Sequence, residues 1–127
     1  MRVLVVDDDA VFCRFLMEVL QDKGMDVVCT TNGLDAYDLL NREPCDVSII
    51  DVRMPLVLGT ELADAISQDH PEAKMILASA FADQALQDYA KRKGILLLSK
   101  PFTAKQLIEA VQLTVGFSIG RNQSKDG

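Results

Sequence analysis

Several features that would define other classes of protein are missing from this sequence. The three cysteines, Cys13, Cys29 and Cys45, include no Cys-x-x-Cys pair, so they predict buried thiols in a reducing compartment rather than a disulfide framework. No apolar run approaches the roughly 20 residues that a membrane span requires. The apolar run at residues 3–6 ends in three aspartates, which excludes a signal peptide. We therefore expect a soluble, cytoplasmic protein.

Basic residues are too few for a protein that grips nucleic acid. Lys and Arg number 13 against 19 Asp and Glu, and the net charge is -6. Because nucleic-acid affinity comes largely from cationic side chains that neutralise phosphates, we expect neither nucleic acid nor membrane as a partner of this domain. The one histidine, His70, is expected to lie far from the site discussed below, which speaks against zinc.

The pattern of apolar residues predicts an α/β fold. The 127 residues suffice for one domain with its own core, and five short apolar runs are predicted to be strands, at about residues 2–6, 26–30, 46–51, 74–78 and 95–98. Apolar residues at helical spacing follow each run. We expect the first helix to carry Val11, Phe12 and Phe15 on its apolar stripe and the fourth to begin near Ala82. Thr103 and Gln106 stand at capping-box spacing, so we expect the fifth helix to follow Thr103 and to include Val115.

Five alternations of strand and helix with short connections predict a doubly wound five-stranded parallel sheet between helices. Residues 1–117 are expected to form this domain. From residue 118 the chain turns polar and has no apolar periodicity, so residues 118–127 are expected to be a flexible tail or the start of a linker.

Polar side chains stand where four of the predicted strands end. Asp7 and Asp8 follow the first strand, Asp51 ends the third, Ser79 ends the fourth and Lys100 follows the fifth. The carboxyl ends of parallel strands share one edge of a sheet, so these side chains are expected to converge. Carboxylates so close would not all ionise without a cation, and oxygen ligands suit Mg²⁺, or alternatively Mn²⁺.

This set of groups fits phosphoryl chemistry. A metal ion, the Ser79 hydroxyl and the Lys100 ammonium can each hold one oxygen of a phosphoryl group. Asp51, central among them, is the natural nucleophile and would form an aspartyl phosphate. Each of these residues taken alone could be a cap, a turn former or a surface charge; the four strand ends together favour the phosphoryl site.

Four stretches of the chain resemble the receiver domain of two-component response regulators: residues 3–8 (VLVVDD), 51–55 (DVRMP) with Gly59 behind them, 79–80 (SA) and 100–102 (KPF). The resemblance covers about residues 2–115 and implies a flavodoxin-like strand order of 2-1-3-4-5 with five helices. It implies that Asp51 accepts a phosphoryl group from a phosphohistidine on a sensor histidine kinase or phosphotransfer protein. It also implies no enzymatic activity beyond the chain's own phosphorylation and dephosphorylation.

The resemblance also assigns metal ligands. Asp8, Asp51 and the backbone carbonyl of Arg53 would bind Mg²⁺, and Asp7 would assist through water. Phosphorylation would shift a two-state equilibrium in the surface made by the fourth helix, fifth strand and fifth helix. That surface would control an output domain or partner, and it is also the expected face of a homodimer.

Two roles in switching follow from the same resemblance, together with two departures from the family pattern. Ser79 would be the switching hydroxyl and Lys100 the phosphoryl-binding lysine. Leu97, expected to be a buried strand leucine, stands where an aromatic ring usually reports the switch, so we expect switching without an aromatic gate. Arg53 and Phe81 occupy positions that tune hydrolysis and offer no group to orient water; Phe81 could shield the site, and a slowly hydrolysing phosphoaspartate is expected.

Three alternatives stay open at this stage. Asp7-x-Asp9 resembles the nucleophile loop of haloacid-dehalogenase-like phosphohydrolases, with Asp7 as nucleophile and Asp9 as general acid, although Ala10 replaces the expected Thr or Ser. A receiver fold used constitutively as a binding module, without phosphorylation, is the second. A flavodoxin-like FMN site is the third, and three anionic side chains after the first strand speak against it.

Overall fold

The computed structural model describes residues 1–116, and within them strands and helices alternate as expected from the apolar pattern. The elements are β1 (Arg2–Val6), α1 (Ala10–Asp22), β2 (Asp26–Thr30), α2 (Gly33–Arg42), β3 (Val47–Asp51), α3 (Gly59–Asp69), β4 (Met75–Ser79), α4 (Gln84–Lys93), β5 (Leu96–Ser99) and α5 (Ala104–Val111), followed by a π-helical turn (Gln112–Gly116). None of the helices within this range has the length and apolar character needed to cross a membrane.

The five strands form one parallel sheet in the order β2-β1-β3-β4-β5, which confirms the predicted fold class and strand order. All five residues of β3 are buried because the strand is central in the sheet and helices cover both faces. Asp51 is its last residue and pairs in register with Ala78 of β4. Successive strands are added on one side of β1 first and then on the other, so the strand order reverses between β1 and β3. A doubly wound fold forms its ligand-binding crevice at this point.

Alternate residues of the strands contribute to two apolar cores, one on each face of the sheet. On one face Val3, Val5 and Ile49 pack with α1 and α5 through residues such as Leu16 and Leu107. The other core lies on the opposite face of the sheet, where the alternate strand residues pack against α2, α3 and α4. Burial of a branched aliphatic side chain contributes about 1.5–3 kcal/mol, so the two layers supply most of the stability that holds β1 and β3 side by side.

Side-chain caps fix where the helices begin. The Thr103 hydroxyl accepts from the Gln106 backbone N–H at 3.1 Å, and the Gln106 side chain accepts from the Thr103 N–H at 2.8 Å, which is the predicted capping box. The expectation that α4 begins near Ala82 is wrong. Asp83 accepts from the Leu86 N–H at 2.9 Å and caps the helix, so α4 begins at Gln84.

Two expectations about the first and last helices are also wrong. Val11 is 80% exposed and Phe15 is 37% exposed. The buried stripe of α1 runs through Cys13, Leu16 and Leu20, and at about 100° per residue positions 11 and 15 lie on the opposite side of the helix. The fifth α-helix ends at Val111, and the stretch with Val115 continues as the π-helical turn.

The remaining corrections concern strand ends and burial. Strand β4 begins one residue later than predicted and ends at Ser79 as predicted, whereas β5 begins and ends one residue later than predicted. Leu97 is only half-buried because β5 is an edge strand that pairs with β4 alone. Cys13 is buried, whereas Cys29 and Cys45 are half-buried. The proposed tail at residues 118–127 lies outside the described residues, so the division of the chain stays a proposal.

Candidate functional site

The carboxyl ends of β1 and β3 bring three carboxylates together. One oxygen from each of Asp7, Asp8 and Asp51 lies within 4.8 Å of the others. Asp7 and Asp51 are buried, whereas Asp8 is exposed and gives the cluster an open side. Asp7 Oδ1 also accepts from the Asp9 backbone N–H at 2.9 Å, which fixes the turn after β1. The cluster lies at the point where the strand order reverses, as expected from the sequence.

Lys100 reaches the same cluster from the far side of the sheet. Its Nζ lies 2.7 Å from Asp7 Oδ2 and 3.2 Å from Asp51 Oδ1. The Lys100 backbone N–H donates to the Ser79 carbonyl at 2.8 Å, which anchors the lysine to the end of β4. The Lys100–Pro101 peptide bond is cis. The ammonium therefore bridges two carboxylates that come from different strands.

Ser79 ends β4, beside the end of β3, and is 1% exposed. Its Oγ accepts from the Phe81 backbone N–H at 3.0 Å. In this structure the hydroxyl therefore holds the loop that leads into α4. The oxygen assigned by resemblance to a phosphoryl group is the one that tethers this loop.

Arg53 and Phe81 lie side by side at the rim. The Arg53 guanidinium carbon is 5.8 Å from the centre of the Phe81 ring, within the range of a cation–π contact. Phe81 is 61% exposed, so its ring lies at the surface. Shielding of the site by Phe81 stays a prediction.

The turn after β3 is tightly constrained. The Val52 N–H donates to the Ala78 carbonyl at 2.9 Å, and the Gly59 N–H donates to the Val52 carbonyl at 2.8 Å. A Cβ on Gly59 would lie 2.3 Å from the Asp51 carbonyl oxygen, so the start of α3 touches the backbone of Asp51 itself. Only glycine allows this approach, which keeps Asp51 fixed at the end of its strand.

Charge is unevenly balanced at this site, where three carboxylates face one ammonium. Burial raises the pKa of Asp51 to about 6, the charge of Asp7 acts in the same direction, and Lys100 opposes them. Burial disfavours the charged form of Lys100, but its hydrogen bond to Asp7 and the charge of Asp51 outweigh this and raise its pKa. Oxygen donors with excess negative charge are the ligands that Mg²⁺ prefers, so these residues fit the expected ion.

The raised pKa predicts how Asp51 affects stability. Since the folded protein holds this proton more tightly than the unfolded chain, the contribution of Asp51 to the free energy of unfolding falls as pH rises from the ordinary value of 3.8 to about 6. Asp51→Asn removes the buried charge. We expect it to stabilise the metal-free protein by about 1–2 kcal/mol at pH 7 and to have little effect at pH 4.

Urea unfolding of the two proteins at both pH values checks this prediction. Asp38→Asn, an exposed change on α2, is the matched control and should have no such pH dependence. Added Mg²⁺ should reduce the advantage of Asp51→Asn, because wild type keeps the full set of carboxylates. A variant that is less stable than wild type at pH 7 without metal would contradict the prediction.

The geometry of Asp7 and Asp9 speaks against the phosphohydrolase alternative, in which Asp7 is the nucleophile and Asp9 the general acid. Asp9 Oδ1 accepts from the backbone N–H groups of Val11 and Phe12, at 3.0 and 3.1 Å, so it caps α1 rather than standing free as a general acid. Asp7 is held by Lys100 and by the Asp9 N–H. Both carboxylates of that motif thus have structural partners.

Sequence reasoning missed one residue of the site. Phe12 was assigned only to the apolar stripe of α1, but the centre of its ring lies 4.4 Å from Lys100 Nζ. No sequence signal links two residues so far apart in the chain. By contrast, His70 lies beside Asn41, with 2.7 Å between its Nε2 and Asn41 Oδ1, and belongs to a different part of the surface.

Fold and site together define a doubly wound α/β domain with an acidic, lysine-bridged centre at its topological switch point. The family model for the response regulator receiver domain matches residues 3–112. The chain belongs to the response regulator receiver domain family. The sequence resemblance is thereby confirmed.

Individual relatives agree with this membership. The chain is 33% identical over 112 residues to the response regulator receiver protein CpdR of Brucella abortus, covering 87% of this chain and 93% of that protein. It is 36% identical over 110 residues to the response regulator receiver protein Anae109_2439 of Anaeromyxobacter, covering 85% of this chain but only 46% of that protein. The matched region is thus nearly all of one relative and less than half of the other.

A solved structure extends the comparison. The response regulator protein TrrA of Thermotoga maritima, determined in complex with Mg²⁺-BeF, superposes with a TM-score of 0.80 at 31% sequence identity. The match covers 87% of this chain and 96% of that one. The likeness therefore extends over the whole receiver domain.

Proposed function

We propose that this chain accepts a phosphoryl group from a phosphohistidine onto Asp51 in a Mg²⁺-dependent reaction. The donor would be a sensor histidine kinase or a phosphotransfer protein. The observation that carries the proposal is the position of Lys100 Nζ between Asp7 and Asp51, in a cluster to which Asp8 adds a third carboxylate. Outside its own phosphorylation and dephosphorylation, no enzymatic reaction is proposed.

The proposed chemistry is an in-line displacement at phosphorus. An oxygen of the Asp51 carboxylate forms the new P–O bond, the P–N bond to the donor imidazole breaks, and its electron pair leaves with the imidazole. Asp7, Asp8, Asp51 and the Arg53 carbonyl would hold Mg²⁺, which when bound neutralises charge on the phosphoryl oxygens. Lys100 would hold a second oxygen and the Ser79 hydroxyl a third.

The bond between Ser79 and Phe81 supports a route from Asp51 to the surface. A phosphoryl oxygen on Asp51 would accept a hydrogen bond from the Ser79 hydroxyl, and movement of this hydroxyl toward it would break the bond that Ser79 Oγ now accepts from the Phe81 N–H at 3.0 Å. Loss of this bond would free the loop before α4. We propose that the freed loop shifts the population of the surface formed by α4, β5 and α5, without an aromatic gate at Leu97.

Helix α4 is also held by side-chain contacts to α3. The Tyr89 hydroxyl donates to Asp64 Oδ1 at 2.6 Å and lies 3.0 Å from the Thr60 carbonyl, and Lys93 pairs with Asp64 at 3.1 Å. These contacts tie α4 to α3. A shift of α4 relative to α3 would have to break them.

Exposed apolar residues near the site support a protein donor. Val11 follows β1, Leu56 follows β3 and Phe81 follows β4, so all lie at the edge where Asp51 ends its strand, and each is more than half exposed. A partner that brings a phosphohistidine to Asp51 would cover these side chains. Homodimerisation through the α4, β5 and α5 surface, slow phosphoaspartate hydrolysis and a cytoplasmic location stay predictions.

Phosphorylation by a small donor tests the proposed function. Incubation with acetyl phosphate and Mg²⁺ should add one phosphoryl group, seen by intact mass, and EDTA should prevent it. Asp51→Ala should lose the modification, whereas the exposed change Asp38→Asn should keep it. Equal labelling of Asp51→Ala, or steady phosphate release that depends on Asp7, would contradict the proposal and favour a phosphohydrolase. Absence of labelling in wild type would favour a constitutive binding module.

A further inference from the structure

We propose that Phe12 is a positioning residue for Lys100, holding the ammonium in place by a cation–π contact. The Lys100 Nζ lies 4.4 Å from the centre of the Phe12 ring. This inference rests on the proposed function, in which Lys100 binds a phosphoryl oxygen. It assigns Phe12 a part in the site although the residue is not one of the three carboxylates that make the acidic cluster.

The Phe12 ring is itself held on two sides. The Phe102 ring meets it edge to face, with centres 5.3 Å apart and planes at 76°, and the Phe15 ring is tilted against it at 5.9 Å. The Phe12 backbone N–H is bound to the cap residue Asp9 at 3.1 Å. Because both backbone and ring are fixed, the ring presents a defined surface to Lys100.

An aromatic ring gives Lys100 something that a further carboxylate would not. Lysine has a long, flexible side chain and only a point charge, so hydrogen bonds alone allow its head group to swing. The ring attracts the ammonium through its quadrupole and adds no oxygen acceptor. The Nζ is already close to Asp7 at 2.7 Å and Asp51 at 3.2 Å, and the contact with Phe12 leaves it free to bind a phosphoryl oxygen.

The contact also joins elements that the sheet does not connect directly. Phe12 lies in α1, while Lys100 and Phe102 lie between β5 and α5. Lys100 thus has two sets of contacts. The ring cluster joins it to α1 and to the segment before α5, and the carboxylates join it to the ends of β1 and β3. Loss of the ring removes one of these two supports and leaves the ion pairs in place.

Replacement of the ring by an aliphatic side chain of similar size tests the proposal. Phe12→Leu should raise the beryllium fluoride concentration for half-saturation, at fixed Mg²⁺, by about three- to tenfold, the range expected for loss of one partly buried cation–π contact. Phe12→Tyr keeps a ring and should restore at least part of the affinity. Val19→Ala, which removes apolar packing of the same helix against the core about two turns beyond Phe12, is the matched control.

A spectroscopic readout separates positioning from general stability. With ¹³C-labelled lysine, the Cε protons of Lys100 should show an upfield ring-current shift in metal-free wild type. Phe12→Leu should lose this shift and Val19→Ala should keep it. The measurement needs neither metal nor phosphoryl mimic, so it tests the Phe12 contact even if wild type fails to bind beryllium fluoride, which would count against the proposed function instead.

The outcomes are distinct. Weaker beryllium fluoride binding in Phe12→Leu, partial rescue in Phe12→Tyr and the lost ring-current shift together support the proposal. An unchanged half-saturation concentration in Phe12→Leu overturns it, as does a Lys100 resonance that is the same with and without the ring. Equal weakening in Phe12→Leu and Val19→Ala also overturns it, because packing of α1 would then explain the effect.

Discussion

Replacing Lys100 by methionine is expected to slow the modification of Asp51 by acetyl phosphate about a hundredfold or more, as for loss of one fixed donor to a developing anionic centre. Lys100 is the cation that bridges Asp7 and Asp51, at 2.7 and 3.2 Å. Methionine keeps much of the side-chain volume but removes the charge. Initial rates measured by intact mass at saturating Mg²⁺ check the prediction. The control is Lys105→Met, which changes an exposed lysine on α5.

The same variant should bind Mg²⁺ more tightly, in contrast to its loss of reactivity. The site loses its one ammonium, so three carboxylates face the ion without a competing cation. The pKa of Asp51 should also rise further above its wild-type value of about 6, since Lys100 lowers it. Isothermal titration with Mg²⁺ at pH 7 or above measures this. A fall in both Mg²⁺ affinity and phosphorylation would indicate collapse of the site and contradict the account.

The second large effect is expected at Gly59. A Cβ at this position would lie 2.3 Å from the Asp51 carbonyl oxygen and 2.7 Å from the Val52 Cα, and both of these are backbone atoms in or beside a buried strand. Since the backbone of β3 has no room to move, Gly59→Ala is expected to lower the free energy of unfolding by about 3 kcal/mol or more.

Gly33→Ala provides the matched control. Gly33 is also the first residue of a helix, but a Cβ there would meet the Val57 side chain at 3.3 Å rather than backbone. The side chain can adjust, so the loss should be much smaller. Urea unfolding of both variants, with the slope of the transition compared, measures the difference. Equal losses in the two variants would show that the contact between Gly59 and Asp51 is not tight in solution.

The fold was predictable because its main signal is repeated along the chain. Five apolar runs that alternate with helical patterns predict a doubly wound parallel sheet, and the strand order was implied by the resemblance to receiver domains. The errors lie where a few residues decide the outcome. Val11 and Phe15 are apolar, yet the side of α1 that faces the sheet is set by Cys13, Leu16 and Leu20, and helical spacing admitted both choices.

The start of α4 illustrates the same limit at a boundary. The apolar pattern there is compatible with a helix from Ala82, but the Asp83 carboxylate can cap the N–H of Leu86 only if Asp83 itself is extended. Thr103 and Gln106 carried a stronger signal, since two side chains cap reciprocally, and that boundary was predicted correctly. A single capping residue is a weaker signal than a reciprocal pair.

The members of the candidate site were predictable from topology, but their contacts were not. Residues that end parallel strands must share an edge, and Asp7, Asp8, Asp51 and Lys100 do so. The sequence did not indicate that Lys100 would pair more closely with Asp7 than with Asp51. Such distances depend on how the side chain of Lys100 crosses the sheet, which no local pattern encodes.

Aromatic contacts were the least predictable part of the site. Phe81 was predicted only as a possible shield of the site, and the sequence did not indicate that its largely exposed ring would lie near the Arg53 guanidinium. Phe12 was assigned to the apolar stripe of α1 and does pack against the core, but its contact with Lys100 was not predicted. In both cases the partner is a cation from a distant or separate loop. Contacts of this kind depend on the final packing and leave no periodic signal in the sequence.

Mapping of the modified residue tests the central claim most directly. Wild-type protein treated with acetyl phosphate and Mg²⁺ is reduced with borohydride, which converts an aspartyl phosphate to homoserine, and the peptides are then sequenced by mass spectrometry. The account predicts homoserine at position 51 and at no other aspartate. Conversion of Asp7 or Asp8 instead, or no conversion in protein whose Mg²⁺ binding has been verified, would contradict it.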